Sequence, residues 1–221
     1  MRHRRLATLA AIASAIAICY SLDAPARGDG SAPPASTATA EHLRVLRERA
    51  EKIVAPLQLE DSKHAERVAA VIAEQYRRLG EIHDAAGDDA PADPAELDAL
   101  HRRFVARLAA ELTPAQVDQV KDGMTYGVVS VTVNAYGELL PGLTDEQRRE
   151  IRAQLLEARE YAMDAGSSDA KHAIFGKYKG RINNYLSQAG YDLKRAEREL
   201  AARRQAAAKP ATAAATPQPT Q

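Results

Sequence analysis

The chain has 221 residues, with 30 Lys+Arg against 30 Asp+Glu, so its formal net charge is zero. That balance excludes a dedicated nucleic-acid binder, which carries a basic excess. The one cysteine excludes a disulfide framework, so stability rests on a packed core.

The first 26 residues read as an export signal. Arg2, Arg4 and Arg5 supply the positive start, Leu6–Ile18 the apolar stretch, and Ala24-Pro25-Ala26 the small-residue cleavage pattern. The 13 apolar residues are too few for a spanning helix, which needs about 20. Cys19 follows Ile18 instead of a small residue, which disfavours lipid attachment. Cleavage after Ala26 leaves 27 basic and 29 acidic residues, no cysteine, and no second run able to span a membrane. The protein is expected to be periplasmic or secreted.

Residues 27–40 are rich in Ala, Gly, Pro, Ser and Thr and read as a flexible leader. Residues 206–221 read as a disordered Ala/Thr/Pro tail. Between them, residues 41–205 form one domain that is helical throughout. Leu43, Leu46, Ala50, Ile53, Val54 and Leu57 recur at helical spacing, as do Val68, Val71, Ile72, Gln75, Tyr76, Leu79 and Ile82. Residues 87–94 interrupt the pattern with Gly, Asp and Pro. A further stripe follows at Leu97, Leu100, Phe104, Val105 and Leu108.

Leu112-Thr113-Pro114-Ala115-Gln116 and Leu143-Thr144-Asp145-Glu146-Gln147 each spell a capping box, with Thr at the N-cap and Gln three residues on. The valines of 128–133 favour a strand, but no partner strand exists in the sequence, and Tyr126, Val129, Val133, Tyr136 and Leu140 fit one helical face. Helices are then expected over 144–165, from Ser167 or Ser168 to 188, and over 191–204. The fold expected is all-α, a single bundle of about six or seven helices with short antiparallel connections.

The candidate chemistry lies in 165–192. Residues 171–185 carry four Lys/Arg, two Tyr and two Asn and no acid. On a helix, Ile174, Phe175, Tyr178, Ile182, Tyr185 and Leu186 face inward. His172, Lys179 and Asn183 share a face with Gly176, and Lys177, Arg181 and Asn184 share another. Gly176 and Gly180 each cost roughly 1 kcal/mol against Ala in a helix, which implies a close approach there, by a neighbouring helix first and by a ligand second. The candidate ligand-binding residues are Lys177, Tyr178, Lys179, Arg181, Asn183, Asn184 and His172. Two other glycine-bearing segments, 121–127 and 164–168, read first as structural turns. His64 and His83 read as solvated side chains, not metal ligands. The sequence carries no signature that requires a metal or cofactor.

The segments Lys121-Asp122-Gly123-Met124-Thr125-Tyr126-Gly127, 158–168 and Gly176-Lys177-Tyr178-Lys179-Gly180-Arg181-Ile182-Asn183-Asn184-Tyr185-Leu186 resemble those of an exported bacterial family of unknown function, DUF3826. The resemblance covers 43 to about 200. It implies a setting of plant cell-wall polysaccharide breakdown, pectin included, but no catalytic residues. The Leu-Thr-x-x-Gln pairs also resemble those of periplasmic chaperones. The expected function is binding of anionic glycan fragments, with Lys and Arg pairing to carboxylates and Tyr stacking on sugars. The alternatives are a uronate lyase, with Arg181 or Lys179 neutralising the acid and Tyr178, Lys177 or His172 as base, and a periplasmic chaperone. The expected partner is an acidic oligosaccharide, not nucleic acid, with the oligomeric state left open.

Overall fold

The computed structural model describes residues 35–87 and 90–208. The described residues from Thr39 onward belong to one compact unit, which the following paragraphs concern. The expected export signal, the first part of the expected leader and the end of the expected tail lie outside the described residues.

Among these residues the secondary structure is entirely helical. There are eight α-helices: α1 (Ala35–Val54), α2 (Ser62–Ala86), α3 (Pro94–Glu111), α4 (Pro114–Met124), α5 (Val128–Leu139), α6 (Asp145–Met163), α7 (Ser168–Gln188) and α8 (Leu193–Ala208). A short 3-10 turn, Ala55–Leu57, follows α1. The sequence leads to about six or seven helices, slightly fewer than the eight observed, in which α4 and α5 are separated by the turn at Thr125–Gly127. α1 begins at Ala35, inside the stretch assigned to the leader. Its first turns are Ala, Ser and Thr with no proline, so nothing in them stops a helix.

Both expected capping boxes form. Thr113 accepts from the Gln116 amide while the Gln116 side chain accepts from the Thr113 amide, and Thr144 and Gln147 do the same. Each pair satisfies two amides that a helix start leaves without partners. Asp61, Asp93 and Ser167 cap α2, α3 and α7 through their side chains.

The buried apolar residues form two clusters. One joins Ala50, Ile53 and Val54 of α1 to α2, α3 and α4. The other joins Val129 and Tyr136 of α5 to α6, α7 and Ala196 of α8. α6 serves both, with Ile151, Leu155, Ala158 and Ala162 in the second and Met163 in the first. α7 packs most extensively on α6.

Charged side chains tie α4 to α6. The Arg159 guanidinium, 4% exposed, donates to Asp118 at 2.7 Å and to Asp122 at 2.8 Å. Next to it, Lys121 donates to Glu160 at 2.7 Å. Burial alone would raise the Glu160 carboxyl, but His101, Lys121 and Arg159 together bring it down to about 2. His101 Nδ1 lies 2.8 Å from Asp164 Oδ2, and with Glu160 this contact raises His101 to about 9. His64 and His83 are not simply solvated. Their Nε2 atoms sit 2.9 Å from the Glu111 carbonyl and 2.8 Å from the Asp164 carbonyl, so each ring ties two segments together.

Candidate functional site

α7 is the element that sequence reasoning marks, and its inward stripe is as expected. Phe175, Tyr178, Ile182 and Leu186 are buried, with Ile174 and Tyr185 partly so. The candidate residues then separate. His172, Lys179 and Asn183 share a strip with Gly176 and Gly180, as helical spacing requires. Lys177, Arg181 and Asn184 lie round the side and are exposed.

The two glycines are not points of close helix packing. A methyl group added at either would meet nothing within 4 Å, and both residues are exposed. Among the described residues no neighbouring helix reaches them, and the backbone there is exposed. Close approach occurs at two other glycines. A Cβ on Gly123 would lie 2.9 Å from Ile53 Cγ2, and one on Gly166 would lie 2.6 Å from the His83 ring.

Lys179 is half-buried, and burial lowers its pKa. Neither it nor Lys177 has an ion-pair partner among the described residues. Asn183 accepts a 2.7 Å hydrogen bond from the Tyr136 hydroxyl through Oδ1, which leaves its two amide donors available. Arg181 stacks over the Tyr178 ring at 4.6 Å and lies 3.7 Å from Glu157. Tyr178 itself is buried, with Glu157 beside its hydroxyl; burial first and then Glu157 raise its pKa.

At the N-terminal end of this strip the structure assembles a cluster that the sequence reading missed. Lys171 occupies the same stripe as Phe175, Tyr178 and Ile182 and is only 6% exposed. Its Nζ donates to the Met124 carbonyl at 2.9 Å. It also lies 5.4 Å from the Tyr76 ring centre and 5.8 Å from that of Tyr126. Arg49 packs over Tyr76 at 5.2 Å, and His172 stacks on Tyr126 at 5.9 Å. Burial first, then the Arg49 charge, lower Lys171 to about 8, with Asp164 acting the other way. Burial also lifts the Tyr76 phenol to about 12, so Tyr76 stays protonated. The signal was available: 171, 175, 178 and 182 are spaced as one helical face, and the first of them is a lysine.

Tyr126 reaches this cluster through an unusual helix ending. The Gly127 amide bonds the Asp122 carbonyl at 2.8 Å and the Tyr126 amide bonds that of Gly123 at 3.4 Å. This is the Schellman pattern, which places Tyr126 at the left-handed position with φ 59°. α7 ends with the same two bonds, from Tyr191 to Leu186 and from Gly190 to Ser187, but there the left-handed residue is Gly190. Glycine adopts this conformation without strain, whereas a side chain costs about 1 kcal/mol or more. The turn therefore carries strain in order to project a tyrosine beside Lys171.

The fold and this strip define an all-helical bundle whose open helix face, lined by cations and aromatic rings, begins where the two cores meet. The chain belongs to DUF3826, a family of proteins of unknown function, whose model matches residues 43–99 and 88–206. The matched span contains the capping boxes, the Tyr126 turn, Lys171 and the α7 strip. No curated protein matches the chain.

Proposed function

We propose that the protein is an exported binding protein for acidic oligosaccharides, held along α7 from His172 to Asn183. One observation carries this reading: the backbone at Gly176 and Gly180 is open to solvent and lies beside a half-buried lysine without an acid partner. Two glycines in a helix interior cost roughly 2 kcal/mol together, and among the described residues no packing contact offsets that cost. A ligand resting on the bare helix face supplies the reason. At 1.5 Å per residue the strip is about 17 Å long, enough for a short linear chain. Lys179 and Lys177 pair with its carboxylates, the Asn183 amide donates to hydroxyls, and the Tyr126–His172 stack flanks one end.

Export fits the sequence, and among the described residues no helix is long and apolar enough to cross a membrane. The test is a thermal-shift series with neutral and acidic oligosaccharides of matched length. Acidic chains should raise the melting temperature, neutral ones should not, and joint Lys177→Ala and Lys179→Ala substitution should abolish the shift. Equal responses to both classes, or none, would overturn the reading. Ultraviolet absorbance of the same mixtures shows whether binding proceeds to elimination.

A further inference from the structure

We propose that Lys171 and Arg49, walled by the rings of Tyr76 and Tyr126, form a subsite that binds the carboxylate of a sugar acid. The identity of the ligand rests on the reading of the α7 strip; the presence of an anion site does not.

The argument starts from charge. Lys171 is more than nine-tenths buried, and a cation removed from water needs a compensating anion or a full set of acceptors. Its one hydrogen bond among the described residues goes to the Met124 carbonyl, and its ammonium lies over two aromatic rings. An ammonium has three donors, so two remain without an acceptor among the described residues. The second cation, Arg49, is exposed and packs on the same Tyr76 ring, also without an ion pair among those residues. Its charge bears on Lys171 strongly enough to disfavour protonation there.

The groups that face Lys171 are Arg49 from α1, Tyr76 from α2, Tyr126 from the turn and Asp164 after α6, with His172 adjoining on α7. Among the described residues Asp164 is the one acid of the group; its Oδ2 is held by His101 at 2.8 Å, and its Oδ1 is buried without a hydrogen-bond partner, so its charge is shared with the His101 imidazole. The cluster thus has an excess of positive charge. A carboxylate bridging Lys171 and Arg49 would neutralise it.

Position and strain point the same way. The cluster lies where the two cores meet, with Met124 in one and the stripe of α7 in the other. Tyr126 reaches it only by accepting a left-handed backbone that Gly190 occupies in the equivalent turn of α7. Aromatic walls suit a sugar ring better than a bare inorganic anion.

The experiment is calorimetric titration of the protein with glucuronate, glucose and inorganic phosphate between pH 6 and 10. Glucuronate should bind and glucose should not. Affinity should be full below the Lys171 pKa of about 8 and fall as the ammonium deprotonates, approaching about tenfold per pH unit. Lys171→Met should lose at least about tenfold in affinity. Arg49 is exposed, so Arg49→Met retains the fold and gives a second reading should Lys171→Met fail to fold. Unchanged glucuronate affinity in Arg49→Met, or no pH dependence in the wild type, overturns the subsite. Phosphate binding as tightly as glucuronate overturns its assignment to a sugar acid. Acidic oligomers separate the two proposals. Binding lost in the Lys177/Lys179 double variant but kept in Arg49→Met leaves the strip and removes the subsite, and the reverse leaves the subsite alone.

Discussion

Replacing Lys171 by methionine keeps most of the unbranched side chain and removes its charge, which turns the buried ammonium into a measurable pH dependence. A lysine ordinarily titrates at 10.5, and burial together with Arg49 brings Lys171 to about 8. Protonation in the fold is therefore less favourable than in the unfolded chain by roughly 3 kcal/mol. The sign follows from proton counting. Between pH 8 and 10.5 the unfolded chain holds more protons than the native one, so stability rises with pH across that window. Below pH 8 the wild type bears the whole penalty, and above 10.5 it bears none. The assay is urea unfolding of wild type and Lys171→Met at intervals from pH 7 to 10.5. Subtraction cancels the titrating groups that the two share. The wild type should gain roughly 3 kcal/mol on the variant across the range. A difference that stays constant with pH would refute the reasoning, because it would mean that Lys171 titrates as it does in water.

His101 should act with the opposite sign. Asp164 and Glu160 raise it from 6.5 to about 9, so its stabilisation is complete below pH 6.5 and is lost as pH rises through 9. Allowing for the part-exposed Glu160, the gap between wild type and His101→Gln should shrink by about 2 kcal/mol from pH 6 to 9.5 in urea unfolding. The glycines should also divide. Gly176→Ala should raise stability by roughly 0.5–1 kcal/mol, since nothing lies within 4 Å of the added carbon. Gly123→Ala should lower it by about 1–2 kcal/mol, because the methyl would meet Ile53 at 2.9 Å. Melting temperatures moving in opposite directions would confirm the pair.

Much of the architecture is legible in the sequence because it is set by local chemistry. Thr113 with Gln116 and Thr144 with Gln147 need only their own neighbours to form capping boxes, and the spacing of Phe175, Tyr178, Ile182 and Leu186 fixes one face of α7. What escaped notice depends on partners distant in the chain. Spacing puts Gly176 and Gly180 on one side of α7 but cannot say whether another helix reaches them, and among the described residues none does. Gly123 and Gly166 read as turn residues, yet their contacts are with Ile53 and His83, 70 and 83 positions earlier. His64 and His83 read as solvated because the carbonyls they meet belong to segments distant in the chain, Glu111 and Asp164. Lys171 reads as a surface residue by its type, and only its place on the stripe of Phe175, Tyr178 and Ile182 marks it as buried. The family resemblance rests on segments that the fold does bring together. Tyr126 from the first of them lies beside Lys171, and Asp164 from the second bears on the same ammonium.

The division of the core around α6 bears on how this molecule loses its structure. The chain crosses from the first cluster to the second at Thr125–Gly127, and Lys171 pins that crossing to α7 through the Met124 carbonyl. Each cluster has its own set of buried apolar residues, so we expect each to open as a cooperative unit of its own. The crossing is then the hinge at which the halves part. A carboxylate drawn between Arg49 in the first half and Lys171 in the second would close that hinge, and ligand occupancy would be felt as slowed amide exchange on both sides of it.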